Sequence, residues 1–140
     1  MIQQDRSPGE NWAGNYTYLA RKLHRPSTIE QAQEIIAGAP HVRVLGSRHS
    51  FNDIADSSEL ITLGALPRNV VVDHEANTVS FNAAMTYGEL VEALRAEGVA
   101  LHNLASLPHI SVAGAVATAT HGSGVAITWW SKRTKAIARS

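Results

Sequence analysis

With 140 residues, 44% of them hydrophobic and 17% charged, the chain has the make-up of one soluble globular domain. It contains no cysteine, which excludes disulfides, thiolate metal sites and a cysteine nucleophile, and no apolar run approaches the roughly 18 residues of a membrane span. Formal charge balances overall, but Lys132, Arg133, Lys135 and Arg139 crowd the end and leave the preceding body acidic. A short basic tail on an acidic body reads as a solvated end, so neither nucleic acid nor membrane is expected as a partner. The opening residues Met1 to Arg6 lack the apolar stretch of a secretory signal, and a cytoplasmic location is expected.

Residues 1–10 are polar, carry Pro8 and Gly9, and read as a flexible N-terminus. Asn11 to Tyr16 is aromatic and turn-rich. Pro26 and Ser27 then open a helix in which Ser27 and Glu30 form a capping box, Ile29, Ala32, Ile35 and Ile36 share a face, and Gly38 is the stop. Val42 to Leu45 and Leu60 to Leu63 read as strands. Asn69 to Asp73 and Thr78 to Ala83 read as two more, joined by the turn His74 to Asn77. A second capping box, Thr86 with Glu89, starts a helix that uses Leu90, Val91 and Leu94 and ends at Gly98. The mixture is α+β, with small mixed sheets flanked by helices and no repeat.

Two bends rich in Gly, Ser and His stand out. The first, Gly46-Ser47-Arg48-His49-Ser50-Phe51, follows a strand and sets one imidazole among small residues and hydroxyls. Its amides can hold a polar ligand, and His49 can serve as acid, base, metal ligand or nucleophile. The second runs from Leu104 to Gly124, where Ser111 can cap a short helix reaching Thr118 whose first amides favour an anion. Neither a G-x-G-x-x-G nor a G-x-x-x-x-G-K-[ST] is present, so Rossmann and P-loop readings fail. His102, His109 and His121 lack metal-ligand spacing, so no metal is expected. Gly122-Ser123-Gly124 is not a nucleophile elbow. His24, His41 and His74 read as surface residues. Two structural connectors remain the plain alternative to a phosphate site.

The motifs Asn11-Trp12-Ala13-Gly14-Asn15, Val42 to Asn52, Ala105 to Gly114 and Thr118 to Gly124 together resemble the N-terminal part of alditol (xylitol) oxidases, flavoproteins of the vanillyl-alcohol-oxidase type. The resemblance covers residues 11–125, in order, and implies the first half of a PCMH-type FAD-binding domain. It implies FAD bonded covalently to His49, with Gly46, Ser47, Arg48 and Ser50 around the pyrophosphate and Phe51 also among the cofactor-binding residues. Ser106, Ser111, Gly114, Thr118, Ala119, Thr120, His121 and Gly122 match positions lining the cofactor, and Ser106 also matches one near the substrate. Members pass a hydride from a polyol carbinol to the flavin, and oxygen takes it on as hydrogen peroxide. The flavin supplies that chemistry and the protein positions it.

The resemblance implies no catalytic residue within this stretch, since the family's polyol-binding residues lie later in longer chains. Residues 126–140, with Trp129-Trp130 and the basic tail, depart from the family pattern and read as a truncated or frameshifted end. A truncated chain of this kind is expected to be inactive alone. A fragment of a sugar-1,4-lactone oxidase shares the Gly-Ser-x-His-Ser turn and is the alternative within the class. A small non-catalytic interaction module is the alternative outside it.

Overall fold

The computed structural model describes residues 8–101, 103–122 and 137–139. It divides into two units, Met1–Pro67 and Arg68–Ser140, each with its own apolar core. Residues 1–7 of the expected flexible terminus, His102, and residues 123–136 and 140 of the divergent tail lie outside the described residues.

In the first unit, Leu23 and Leu60 are wholly buried and pack with Tyr18, Ala20 and Leu45. Each of the two leucines contributes roughly 2–3 kcal/mol by leaving water. They face each other across a three-stranded parallel sheet made of β1 (Lys22–His24), β2 (Val42–Val44) and β3 (Glu59–Ile61), with β3 in the middle. Parallel neighbours need crossovers. The helix α1 (Ile29–Gly38) links β1 to β2, and a long loop with one 3-10 turn at Asp53–Ala55 links β2 to β3.

Three sequence expectations change here. The cap of α1 is Thr28, whose hydroxyl accepts from the Gln31 amide at 3.2 Å, so the Ser27–Glu30 box is one residue early. Ser27 instead donates its amide and hydroxyl to the Gln31 side chain. The expected apolar face is only half covered: Ala32 is buried, while Ile29 and Ile36 are 63% and 53% exposed. Three-residue strands offer too little surface to cover a ten-residue helix. His24, expected at the surface, is buried on β1, its Nε2 2.6 Å from Glu59 Oε2.

In the second unit, β4 (Val70–Asp73) and β5 (Thr78–Phe81) form the expected hairpin, Val70 opposite Phe81 and Asp73 opposite Thr78. The turn closes because Asp73 Oδ1 accepts from the amides of Glu75 and Ala76, and Asn77 takes the left-handed conformation at φ 51°. The helix α2 (Tyr87–Ala96) has the full Thr86–Glu89 capping box and ends before Gly98 at φ +67°, where a side chain would be strained. Leu90 and Leu94 carry it into a core with Val79, Met85, Val99 and Ile110.

The strand β6 (Val99–Leu101) pairs antiparallel with β7 (Ile137–Arg139). Neither strand is legible as such from the sequence, and β7 falls within the stretch that departs from the family pattern. A third helix, α3 (Val112–Ala117), follows Ser111 as expected. The α+β class, built of small sheets and short helices, therefore stands.

Candidate functional site

The Gly46–Phe51 turn begins just beyond the C-terminal end of β2, where ligands gather in parallel α/β sheets. Gly46 and Phe51 are exposed and Ser47, Arg48, His49 and Ser50 are half-buried. Arg48 sits at φ 63°, a left-handed conformation costing roughly 1–3 kcal/mol for a residue with a side chain. Its guanidinium turns back over Gly9, where an added Cβ would stand 3.3 Å from Nη1.

What holds this bend is the Asn11–Tyr16 loop. The Trp12 amide donates to the Arg48 carbonyl at 2.8 Å, the Asn11 side-chain amide to the Ser50 carbonyl at 2.8 Å, and the Asn15 side-chain amide to the Phe51 carbonyl at 3.1 Å. In a trans peptide the N–H points opposite to the C=O, and no peptide among the described residues is cis. The amides of His49, Phe51 and Asn52 therefore point away from the loop. Sequence reasoning quoted Asn11, Trp12 and Asn15 but gave them no task. Their signal was two amide side chains flanking a turn, which typically bond backbone nearby.

The His49 ring is fixed on two sides. Its Nδ1–H donates to the Ser47 carbonyl at 3.0 Å, with the Ser47 hydroxyl at 3.2 Å. The Trp12 indole stacks on it, centroids 5.1 Å apart and planes 20° off parallel. Since a carbonyl only accepts, that bond places a proton on Nδ1.

The remaining predicted site residues belong to the second unit. Ser106 is exposed on the loop that covers the start of α2, where the Pro108 and Ile110 carbonyls accept from the Gly88 and Tyr87 amides at 2.7 and 3.1 Å. Ser111 is buried and its hydroxyl makes no capping bond. The first amides of α3 are already used, Val112 by the Met85 carbonyl at 2.9 Å and Ala113 by the Ala83 carbonyl at 3.3 Å. This differs from the expected phosphate-facing helix start.

Gly114 admits no Cβ without pressing on the Ser111 hydroxyl at 2.7 Å. Thr118 bonds back to the Gly114 carbonyl at 3.1 Å and shares a hydrogen bond with Thr120 at 2.9 Å. Ala119 is left-handed at φ 54°. His121 donates from Nδ1 to the Gly122 carbonyl at 2.8 Å, and the Gly122 amide donates to Asn103 Oδ1 at 2.8 Å. A side chain at Gly122 would collide with the Leu104 carbonyl, so only glycine fits there.

Elsewhere in the first unit, Asp56 Oδ2 accepts from the Tyr16 hydroxyl at 2.8 Å and the Leu19 amide at 2.7 Å. The bond to Asp56 pushes the Tyr16 hydroxyl up to about 12. Burial pushes the Asp56 carboxyl up, but the bonds from Leu19, Tyr16, Ser57 and Ala20 outweigh it and hold the group below its ordinary value. These charges sit in a protein-internal network. Among the described residues there is no cluster of three or more His, Asp or Glu able to hold a metal, and no helix is long and apolar enough to cross a membrane.

Residues 20–130 match the model of the FAD binding domain family, so the chain belongs to that family and FAD is its cofactor. It is 50% identical over 119 residues to the alditol oxidase of Streptomyces sp. strain IKD472, a match covering 82% of this chain and 29% of that protein. It is 32% identical over 121 residues to the L-gulonolactone oxidase of Scyliorhinus torazame, covering 83% of this chain and 28% of that one. The chain thus spans under a third of the curated relatives it matches. In fold it resembles the cholesterol oxidase of B. sterolicum, with a TM-score of 0.73 at 16% identity over 86% of this chain and 25% of that one. Aclacinomycin oxidoreductase follows with a TM-score of 0.63 at 20% identity, covering 83% and 26%. The mixed α+β architecture is shared with the matched parts of these two proteins.

Proposed function

We propose that this chain is the FAD-binding segment of an alditol-oxidising flavoprotein and that it holds FAD covalently through His49. The observation that carries this is the Arg48–Phe51 bend, whose carbonyls are drawn to the Asn11 loop so that its amides face the other way. Those donors suit a diphosphate, and the adjacent imidazole is held still by Ser47 and Trp12. Bound FAD would accept a hydride from the carbinol carbon of a polyol and return the electrons to dioxygen as hydrogen peroxide.

In this reading a His49 ring nitrogen would hold the flavin through its 8α-carbon, and the bound flavin, reoxidised by dioxygen, would take up the two hydrogens and two electrons that forming the linkage releases. Ser106 would lie toward the substrate, and Ser111, Gly114 and the 118–122 segment along the cofactor. The second reading, a sugar-lactone oxidase segment, is favoured by the 32% identity to the L-gulonolactone oxidase. The higher identity to the alditol oxidase, 50%, ranks the polyol first.

Binding rather than turnover is the property to assay in this chain. The purified protein is incubated with FAD, denatured in acid, and examined for flavin fluorescence that stays with the polypeptide. Acid-stable flavin that disappears in His49→Ala is the expected result. Flavin that is fully released from the wild-type chain, or retained by His49→Ala, would refute the covalent assignment.

A further inference from the structure

We infer that the Asn11–Asn15 loop is the template that orients the His49 ring, with Trp12 as its positioning residue. The inference rests on the reading of His49 as the flavin anchor and extends it to residues outside the Gly46–Phe51 turn.

Trp12 acts on the turn twice. Its amide fixes the Arg48 carbonyl, the peptide immediately before His49, at 2.8 Å. Its indole covers one face of the imidazole at 5.1 Å and 20°. The Ser47 carbonyl at 3.0 Å from Nδ1 opposes a flip of the ring about Cβ–Cγ. A face contact and an edge contact together define one ring orientation, and an attacking nitrogen needs that definition because misplacement by about 1 Å can cost on the order of 100-fold in rate.

Trp12 is also 64% exposed, outside the Tyr18–Leu60 core. A tryptophan so exposed adds little to folding by burial. Its stacking on His49 is the side-chain contact that bears on the turn. Asn11 and Asn15 hold the loop in register from either side through the Ser50 and Phe51 carbonyls.

The test uses the full chain as wild type, Trp12→Ala, Trp12→Phe and His49→Ala. Imidazole ring-proton signals, assigned to His49 by their loss in His49→Ala, report the stack without FAD. They should move toward free-histidine positions in Trp12→Ala and return most of the way in Trp12→Phe, which restores an aromatic face. With FAD added, total bound flavin is compared with the acid-stable fraction over time. The expected result is that Trp12→Ala binds FAD within about twofold of wild type but attaches it about tenfold more slowly or worse, with Trp12→Phe recovering most of the rate.

Attachment at the wild-type rate in Trp12→Ala overturns the inference. So does a loss of total binding in proportion to attachment, which would make Trp12 a fold residue only. If even the wild type forms no acid-stable flavin, the anchor reading itself falls and takes this role with it. That outcome is distinct because the wild type fails first.

Discussion

Asn11 is the residue on which the candidate site leans hardest. It is 5% exposed and uses its whole hydrogen-bonding capacity. Its amide donates to the Ser50 carbonyl at 2.8 Å and to Asn15 Oδ1 at 2.7 Å, and its oxygen accepts from the amides of Asn15 and Tyr16, both at 3.1 Å. At about 1 kcal/mol net for each bond the ceiling for Asn11→Ala is near 4 kcal/mol. The two bonds to Asn15 end on an exposed residue that recovers water, which brings the expected loss to roughly 2–3 kcal/mol. Asn11→Asp keeps both acceptor bonds and replaces only the donor, turning a carboxylate oxygen toward the Ser50 carbonyl, so it should lose at least as much. Urea unfolding followed through amide signals of the first unit measures both variants, with the midpoint read at constant slope. Hydrogen exchange at the Trp12 amide, which donates to the Arg48 carbonyl within the same clamp, should speed up in parallel. An Asn11→Ala midpoint equivalent to less than about 0.5 kcal/mol, or an Asn11→Asp chain as stable as wild type, would refute the clamp.

Two further outcomes follow from the same unit. The Tyr18 hydroxyl is buried without a hydrogen-bond partner among the described residues, so Tyr18→Phe should leave stability unchanged or raise it by about 1 kcal/mol, and a clear loss in urea would show a partner. The Tyr16–Asp56 pair predicts sensitivity at both pH extremes. The Asp56 carboxyl is held below its ordinary value of 3.8, so its contribution is present above that value and lost as pH falls through the lower folded one. Tyr16 is raised from 10.0 to about 12, so its contribution is full below 10 and lost between there and 12. Melting temperature against pH should show both flanks, and Tyr16→Phe should flatten the alkaline one. A Tyr16→Phe chain that melts at high pH as wild type does would count against the pair.

How far the sequence could be read depended on whether a signal was local. The Thr86–Glu89 box and the Asp73–Asn77 turn are closed by residues within four positions of each other, and both appear as expected. The α1 cap was one residue off because Ser27, Thr28, Glu30 and Gln31 offer two overlapping boxes, and only backbone conformation chooses between them. The strand β1 was missed because Lys22-Leu23-His24 shows one apolar residue, and its strand character comes from β3, some 35 residues on. His24 was misplaced for the same reason: Glu59, the partner that permits its burial, is supplied across that pairing. At the site, the Gly46–Phe51 turn was legible from composition and from the family resemblance. The task of Asn11, Trp12 and Asn15 was not, since the bonds that clamp the turn reach residues 36 to 39 positions away.

The two Gly/Ser/His bends look alike in sequence, and their backbone hydrogen bonds separate them. At the first, protein donors consume carbonyls, so each captured C=O turns the N–H of its own peptide outward. At the second, protein carbonyls consume amides: Met85 and Ala83 take the first two of α3, and the helix is only six residues long. A helix start whose amides are taken has little left to offer a phosphate, however favourable its dipole. The small residues there do a different job. Gly114 leaves room for the buried Ser111 hydroxyl, and Gly122 lets the chain run against the Leu104 carbonyl. In the proposed reading anion recognition falls to the His49 turn, while the Ser111–Gly122 stretch brings backbone into close approach. A diphosphate bound at the first bend would shift the His49, Phe51 and Asn52 amide signals and leave those of Val112 and Ala113 in place.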